Sequence, residues 1–163
     1  MNLLEICQAI QDSDIGMALL GSQYLFPIIE SAHVLGLALS VGLLAIADLR
    51  LIGAFMRREP VSEVLQQLRP WLLSGFALMF ASGILLFWAE AAKVYVNPMF
   101  RVKMLFLLFA GLNALIFEWR LGGKLFLWND RPAPPFGAKF AGWTSLVCWT
   151  VVILCGRWVA YQL

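Results

Sequence analysis

The chain has 163 residues, of which 61% are hydrophobic and 13% are charged, with a formal charge of +2. A soluble domain carries about 25% charged residues. This composition, with a mean hydropathy of +0.80, therefore argues against a soluble protein and indicates an integral membrane protein. The small net charge and the lack of a basic stripe argue against a nucleic-acid partner. Residues 1–23 contain no lysine or arginine, so we expect no cleaved signal peptide.

Residues 1–22 predict a helix that lies on the membrane surface. Leu3, Leu4, Cys7 and Ile10 share one helical face, as in amphipathic helices at the bilayer interface. The stretch "DSDIG" predicts a turn after this face ends.

Four long apolar segments follow the N-terminal helix. We predict membrane spans over about residues 24–48, 70–90, 99–120 and 139–160. Glycine, alanine and serine are spread through all four, as helices that pack closely in lipid require. The sequence thus predicts an all-α integral membrane protein, a bundle of four transmembrane helices in a single domain over residues 1–163. The loop "GGKLFLWNDRPAPPFGAK" is expected to be irregular.

The third apolar core is shorter than a bilayer. At ~1.5 Å per residue, the stretch from Met104 to Phe117 covers only ~21 Å of a hydrocarbon layer ~30 Å thick. The helix must draw in flanking residues in order to span. Lys103 is therefore expected to lie below the headgroups, where it either snorkels or faces the interior of the bundle.

The basic residues predict the orientation. Eight lie between spans one and two or between spans three and four: Arg50, Arg57, Arg58, Arg69, Arg120, Lys124, Arg131 and Lys139. Four lie toward the other side: Lys93, Arg101, Lys103 and Arg157. Cytoplasmic loops carry the excess of lysine and arginine. Both termini are therefore expected outside the cytoplasm, in the periplasm for a protein of the bacterial inner membrane.

The single histidine, His33, lies within the first span, with Glu30 one turn before it. The topology brings Lys103 and Arg157 to the same outer half of the bundle. Because ionisable groups inside a membrane face a partner or a cavity, these four residues predict a polar pocket open to the periplasm, with His33 at its floor. The structural alternatives are a His33 hydrogen bond to a neighbouring helix and a salt bridge from Glu30 to Arg157 or Lys103.

The chemistry of His33 limits the cofactors that this pocket could hold. Burial disfavours a charged imidazolium, and a neutral imidazole is a ligand for haem iron or copper. Di-iron bundles need two Glu-x-x-His motifs and further carboxylates, whereas this chain has one motif and no acid other than Glu30 within the apolar cores 24–47, 71–89, 104–117 and 140–156. A single histidine also excludes bis-histidine haem within one chain. His-ligated haem with a vacant or non-histidine sixth position, a copper site, and haem shared across a dimer stay open.

The stretch "ADLRLIG" ends the first apolar segment. Asp48 and Arg50 are two residues apart, so they do not share a helix face. Each is expected to cap a helix, to pair with another helix or to meet the inner headgroups.

Three stretches carry a resemblance to known families: "FPIIESAHVLGLALSVGLLAIADLRLIG", "NPMFRVKMLFLLFAGLNALIF" and "CGRWVAY". Over nearly its whole length the chain resembles a family of uncharacterised bacterial four-helix membrane proteins. It is distantly similar to the copper-resistance protein D group and to the four-helix membrane protoporphyrinogen oxidase. The oxidase resemblance rests on His33, Gly42-Leu43 and Arg50-Leu51. It implies haem b or porphyrin binding, with His33 as the iron ligand and Lys103 near a propionate or the substrate.

Three hypotheses for function follow. The first is a redox protein that binds haem b or porphyrin at His33, Lys103 and Arg157, where Arg157 pairs with a propionate or with Glu30. The second is a copper or small-solute transport component in which Glu30 and His33 touch the cargo. The third is a non-catalytic membrane anchor for a partner oxidoreductase. The bilayer is the expected surrounding in each case, and a homodimer is compatible with all three.

Overall fold

The computed structural model describes residues 2–128 and 134–162. Over these ranges the chain forms helices and no β-strand: α1 (Leu3–Gln11), α2 (Asp14–Gly21), α3 (Leu25–Ile52), α4 (Val61–Ala89), α5 (Ala91–Val96), α6 (Pro98–Arg120), a 3₁₀ helix (Gly122–Leu127) and α7 (Phe136–Gln162). Helices α3, α4, α6 and α7 are each long and apolar enough to cross a membrane. The predicted all-α fold built on four such helices is therefore confirmed. Arg131, which was used to predict the orientation, lies outside the described residues.

All four long helices extend beyond the predicted spans, and α4 and α3 do so by the most at one end. Helix α4 begins at Val61 and continues through Pro70, although a proline lacks the N–H that an interior turn needs and often ends a helix. Val61 is fully buried in a cluster with Leu51 and Trp128, and this packing stabilises the early turns. Helix α3 continues to Ile52 and ends at Gly53, whose φ of 82° is the left-handed conformation typical of a helix C-terminus.

The N-terminal segment forms two short helices, not the single helix predicted over residues 1–22. Ser13 separates them, because its hydroxyl accepts a hydrogen bond from the Gly16 N–H and so caps α2. The same hydroxyl accepts a hydrogen bond from the Trp88 indole at 3.0 Å, and the Gln11 side chain accepts one from the Ala92 N–H. Helices α1 and α2 therefore pack on α5 and on α4, over one end of the bundle.

The four long helices form a bundle that is closed on three sides. Helix α3 packs on α4, and α7 packs on both α3 and α6. Helices α4 and α6 meet where the rings of Phe87 and Phe100 stack with centroids 5.7 Å apart. Elsewhere along the described residues these two helices do not pack closely against each other. The bundle is therefore open between α4 and α6.

We call the two ends of the bundle the α5 end and the Arg50 end. The α5 end carries α1, α2, α5 and the beginning of α3, and the Arg50 end carries the loop after α3 and the 3₁₀ helix. Between them lies an apolar cluster of Met79, Ala110, Cys148, Trp149 and Val152. This cluster separates the polar groups of one end from those of the other.

Candidate functional site

His33 faces α4, near the α5 end. Its Nδ1 lies 2.9 Å from the Met79 carbonyl oxygen and 3.1 Å from the Ser82 hydroxyl oxygen. A carbonyl oxygen can only accept, so Nδ1 carries the proton and donates it. In a neutral imidazole the Nε2 atom then keeps its lone pair, and no described residue forms a hydrogen bond with it.

Glycines at the crossing of α3 and α4 position this imidazole. A Cβ at Gly83 would lie 3.1 Å from His33 Cε1, and a Cβ at Gly36 would lie 2.9 Å from the Met79 backbone nitrogen. The lack of side chains at these positions lets the two backbones approach closely. As a result, the Met79 carbonyl comes within hydrogen-bonding reach of the His33 ring. The hydrogen bond from His33 to a neighbouring helix, which was predicted as the structural alternative to a ligand-binding role, is therefore present.

Lys103 lies in the groove between α6 and α7. A Cβ at Gly156 would lie 3.5 Å from Lys103 Nζ and 3.7 Å from its Cε, so the lysine stem runs across this glycine. Lys103 is partly buried, and its positive charge acts on His33. Nζ has no hydrogen bond or ion pair with the part of the chain that the structure describes. Of the two placements predicted for this lysine, the structure therefore has the one in which it faces α7 inside the bundle.

Glu30 and Arg157 lie outside this arrangement. Glu30 is exposed, although its charge also acts on His33. Arg157 is exposed and donates from Nη2 to the Tyr161 hydroxyl at 3.2 Å, with its guanidinium 4.8 Å from the centroid of that ring. The predicted salt bridge from Glu30 to Arg157 or Lys103 is absent within residues 2–128 and 134–162. The structure thus partly buries His33 and Lys103 and leaves the other two predicted residues at the surface.

The described residues offer few ligands for a bare metal ion. They contain no group of three or more histidine, cysteine, aspartate or glutamate side chains that could hold one. A copper ion usually takes several such ligands from the protein. Haem iron, in contrast, needs only one axial ligand from the protein, because the porphyrin supplies four.

A second polar site lies at the Arg50 end, where a cavity of about 650 Å³ opens between α4 and α6. Asp48 lines this cavity and is only 4% exposed. Ser145 is hydrogen-bonded to its carboxyl group, whereas Oδ2 has no partner among the described residues. The sequence did not predict this site, because the first span was expected to end near residue 48 and Asp48 was assigned to the end of a helix or the inner headgroups. Gly53, a typical residue just after a helix, was the signal that α3 continues past Asp48.

Arg50 faces away from the cavity and holds the loop that follows α3. It is 1% exposed, and it donates from Nε and Nη2 to the Glu59 carbonyl oxygen, at 2.9 and 2.6 Å. Both bonds fix the loop that precedes α4. Asp48 is joined to Ser145 of α7, which is one of the predicted roles, whereas Arg50 anchors a loop, a role that was not among those predicted.

The two sites are separate. His33 and Asp48 are fifteen residues apart on α3, which corresponds to ~22 Å along the helix. The apolar cluster around Met79 and Trp149 lies between them. His33 is not among the residues that line the cavity.

Comparison with known proteins places the chain in a family but gives no activity. Residues 14–162 match a family of unknown function, DUF6644. The chain belongs to this family, as the resemblance to uncharacterised four-helix membrane proteins predicted. No curated protein and no solved structure matches the chain. The similarity to the copper-resistance protein D group and to protoporphyrinogen oxidase therefore stays a prediction.

Proposed function

We propose that this member of the DUF6644 family is a multi-pass membrane protein that binds haem b, with His33 Nε2 as an axial ligand of the iron. The hydrogen bond from His33 Nδ1 to the Met79 carbonyl oxygen is the observation that carries this proposal. Histidines that bind a metal through one ring nitrogen almost always donate the other N–H to a carbonyl or a carboxylate. That bond fixes the tautomer and the orientation of the ring before the metal arrives.

The inventory of ligands favours haem over copper. His33 offers a single nitrogen, and among the described residues it belongs to no group of three or more histidine, cysteine, aspartate or glutamate side chains that could hold a metal ion. One nitrogen is sufficient for haem b, which would supply one-electron redox chemistry when bound.

Lys103 fits the role of a partner for a haem propionate. Its ammonium group is partly buried and has no counter-ion among the described residues, and its charge acts on His33. A carboxylate brought in by a ligand would provide the missing charge partner. Arg157 is a second candidate cation for a propionate, although it donates to Tyr161 in this structure.

The proposed location is the bacterial inner membrane, with both termini in the periplasm. Support comes from four helices that are long and apolar enough to span. It also comes from the excess of lysine and arginine at the Arg50 end, which the positive-inside rule assigns to the cytoplasm. In this orientation His33 and Lys103 lie in the periplasmic half, and Asp48 lies in the cytoplasmic half.

An absorbance spectrum tests the haem proposal. The protein, purified in a non-ionic detergent without a histidine tag, should show a Soret band or take up added haemin in a one-to-one titration. His33→Ala should lose the band, because the axial nitrogen is removed, and free imidazole should restore it by occupying the vacated space. A His33→Ala protein that keeps an unchanged Soret band would contradict the proposal. Absence of haem uptake by the natural chain would contradict it as well, and metal analysis would then distinguish a copper protein from an anchor without a cofactor.

The two lysines near the α5 end provide a matched pair for the propionate contact. Lys103→Gln is expected to raise the dissociation constant for haem by about tenfold, the size of one lost charge-assisted hydrogen bond. Lys93→Gln should leave it unchanged, because Lys93 is already paired with Glu90 at 3.0 Å. If the two substitutions changed the dissociation constant for haem equally, then Lys103 would not contact a haem propionate.

A further inference from the structure

The cavity at the Arg50 end has the size and composition of a ligand site. Its volume of about 650 Å³ falls within the 300–1,000 Å³ that is usual for small-molecule pockets. Helices α3, α4, α6 and α7 all contribute to its walls, which are mainly apolar. Such sites combine an apolar body with a few placed polar groups, and here the buried polar groups are Asp48 and Ser145.

One oxygen of the Asp48 carboxylate lacks a hydrogen-bond partner among the described residues of this cavity. Ser145 is hydrogen-bonded to the carboxyl group, but Oδ2 is buried without a partner in the described part of the chain. A buried polar atom without a partner costs free energy, and a buried carboxylate costs more unless it is paired. A ligand with a positive charge beside Oδ2 would offset this cost.

The walls around the carboxylate are aromatic. Four rings line the cavity: Phe76, Phe80, Phe117 and Trp149. The centroids of Phe76 and Trp149 are 5.3 Å apart across the bundle, so these rings close the cavity toward the apolar cluster. Faces of aromatic rings attract organic cations. The other charged residues of the lining, Arg69 and Glu118, are both exposed, so Asp48 sets the charge of the buried part.

We propose that this cavity binds a lipophilic organic cation, with Asp48 as its counter-ion and the aromatic rings around its apolar groups. The gap between α4 and α6 is the route of entry. In the membrane placement proposed above, this gap faces the lipid chains, so a cation with large apolar groups reaches the cavity from within the bilayer. The inference requires that placement but does not require haem at His33.

Tetraphenylphosphonium and tetraphenylborate test the proposal, since they have the same shape and opposite charges. Equilibrium dialysis of the full-length protein in a non-ionic detergent should show saturable binding of one tetraphenylphosphonium per chain. Tetraphenylborate should not compete for it. Asp48→Asn, which keeps the side-chain volume, should weaken tetraphenylphosphonium binding by about tenfold or more. Glu118→Gln should have no such effect, because this carboxylate is exposed.

Two glycines provide a test by cavity filling that leaves Asp48 intact. Gly111 lines the cavity, whereas Gly42 lies outside the lining. A Cβ at either glycine would meet no atom within 4 Å. Gly111→Leu should reduce tetraphenylphosphonium binding by about tenfold or more, whereas Gly42→Leu should not.

A His33→Ala protein should bind tetraphenylphosphonium as the natural chain does, which distinguishes this site from the haem site. Equal binding of the two ions would overturn the proposal. So would binding that is insensitive to both Asp48→Asn and Gly111→Leu.

Discussion

Gly36→Ala is expected to lower the free energy of unfolding by about 2–3 kcal/mol, the cost of forcing extra volume into a packed interior. A Cβ at this position would lie 2.9 Å from the Met79 backbone nitrogen and 3.1 Å from the Gly75 carbonyl oxygen. Backbone atoms cannot rotate away as side chains do, so α3 and α4 must separate. Unfolding by sodium dodecyl sulfate in mixed micelles, followed by circular dichroism, measures this loss.

Gly42→Ala is the matched control for that substitution. Gly42 lies on the same helix, and a Cβ there would meet nothing within 4 Å. Alanine has a helix propensity higher than that of glycine by about 1 kcal/mol, so the control protein should be as stable as the natural chain or more stable. Equal stabilities of Gly36→Ala and Gly42→Ala would mean that α3 and α4 do not cross at Gly36.

Separation of these helices would also move the Met79 carbonyl away from His33, so Gly36→Ala should weaken haem binding.

Arg50→Met is expected to cost about 2–3 kcal/mol of stability, the size of a hydrogen-bonded contact made by a charged group. Arg50 is 1% exposed and makes two hydrogen bonds to the Glu59 carbonyl oxygen. Methionine fills a similar volume but leaves that carbonyl without its donors. The loop between α3 and α4 should then be cleaved faster by added protease, and the detergent unfolding midpoint should decrease.

Arg58→Met is the control for the loop. Arg58 is exposed in the same loop, and surface substitutions of this kind change stability by about 0.5 kcal/mol or less. If Arg58→Met and Arg50→Met gave the same protease sensitivity, then Arg50 would not anchor the loop.

The sequence predicted the helices better than it predicted their limits. Long apolar runs identify a span by themselves, because a helix in lipid must satisfy its own backbone hydrogen bonds. The beginning of α4 at Val61 was missed because Arg69 and Pro70 resemble a boundary. Packing of Val61 against Leu51 and Trp128 outweighs that local signal. Such a contact joins residues far apart in the sequence, and hydropathy does not report it.

The site residues, like the helix limits, were predicted only in part. His33 and Lys103 were predicted together because each is a polar group inside or beside an apolar run, and both are partly buried in the structure. Glu30 was predicted with them because it lies one turn before His33 on a similar helical face, and Arg157 was predicted from its depth. Depth does not determine which side of a helix faces its neighbours, and both residues are exposed. The cavity at Asp48 depends on the gap between α4 and α6. This gap arises from the arrangement of the helices, which the sequence of a single segment does not predict.

The single histidine of this chain allows the central claim to be measured at one atom. Protein grown with ¹⁵N-histidine and loaded with haem carries the label in the side chain of His33 alone, provided that no histidine tag is used. Electron–nuclear double resonance of the ferric protein should then show a ¹⁵N nucleus strongly coupled to the iron. The signal should disappear in His33→Ala protein that is restored with unlabelled imidazole. Bound haem without any strongly coupled ¹⁵N would contradict the account, because the iron would then have another axial ligand.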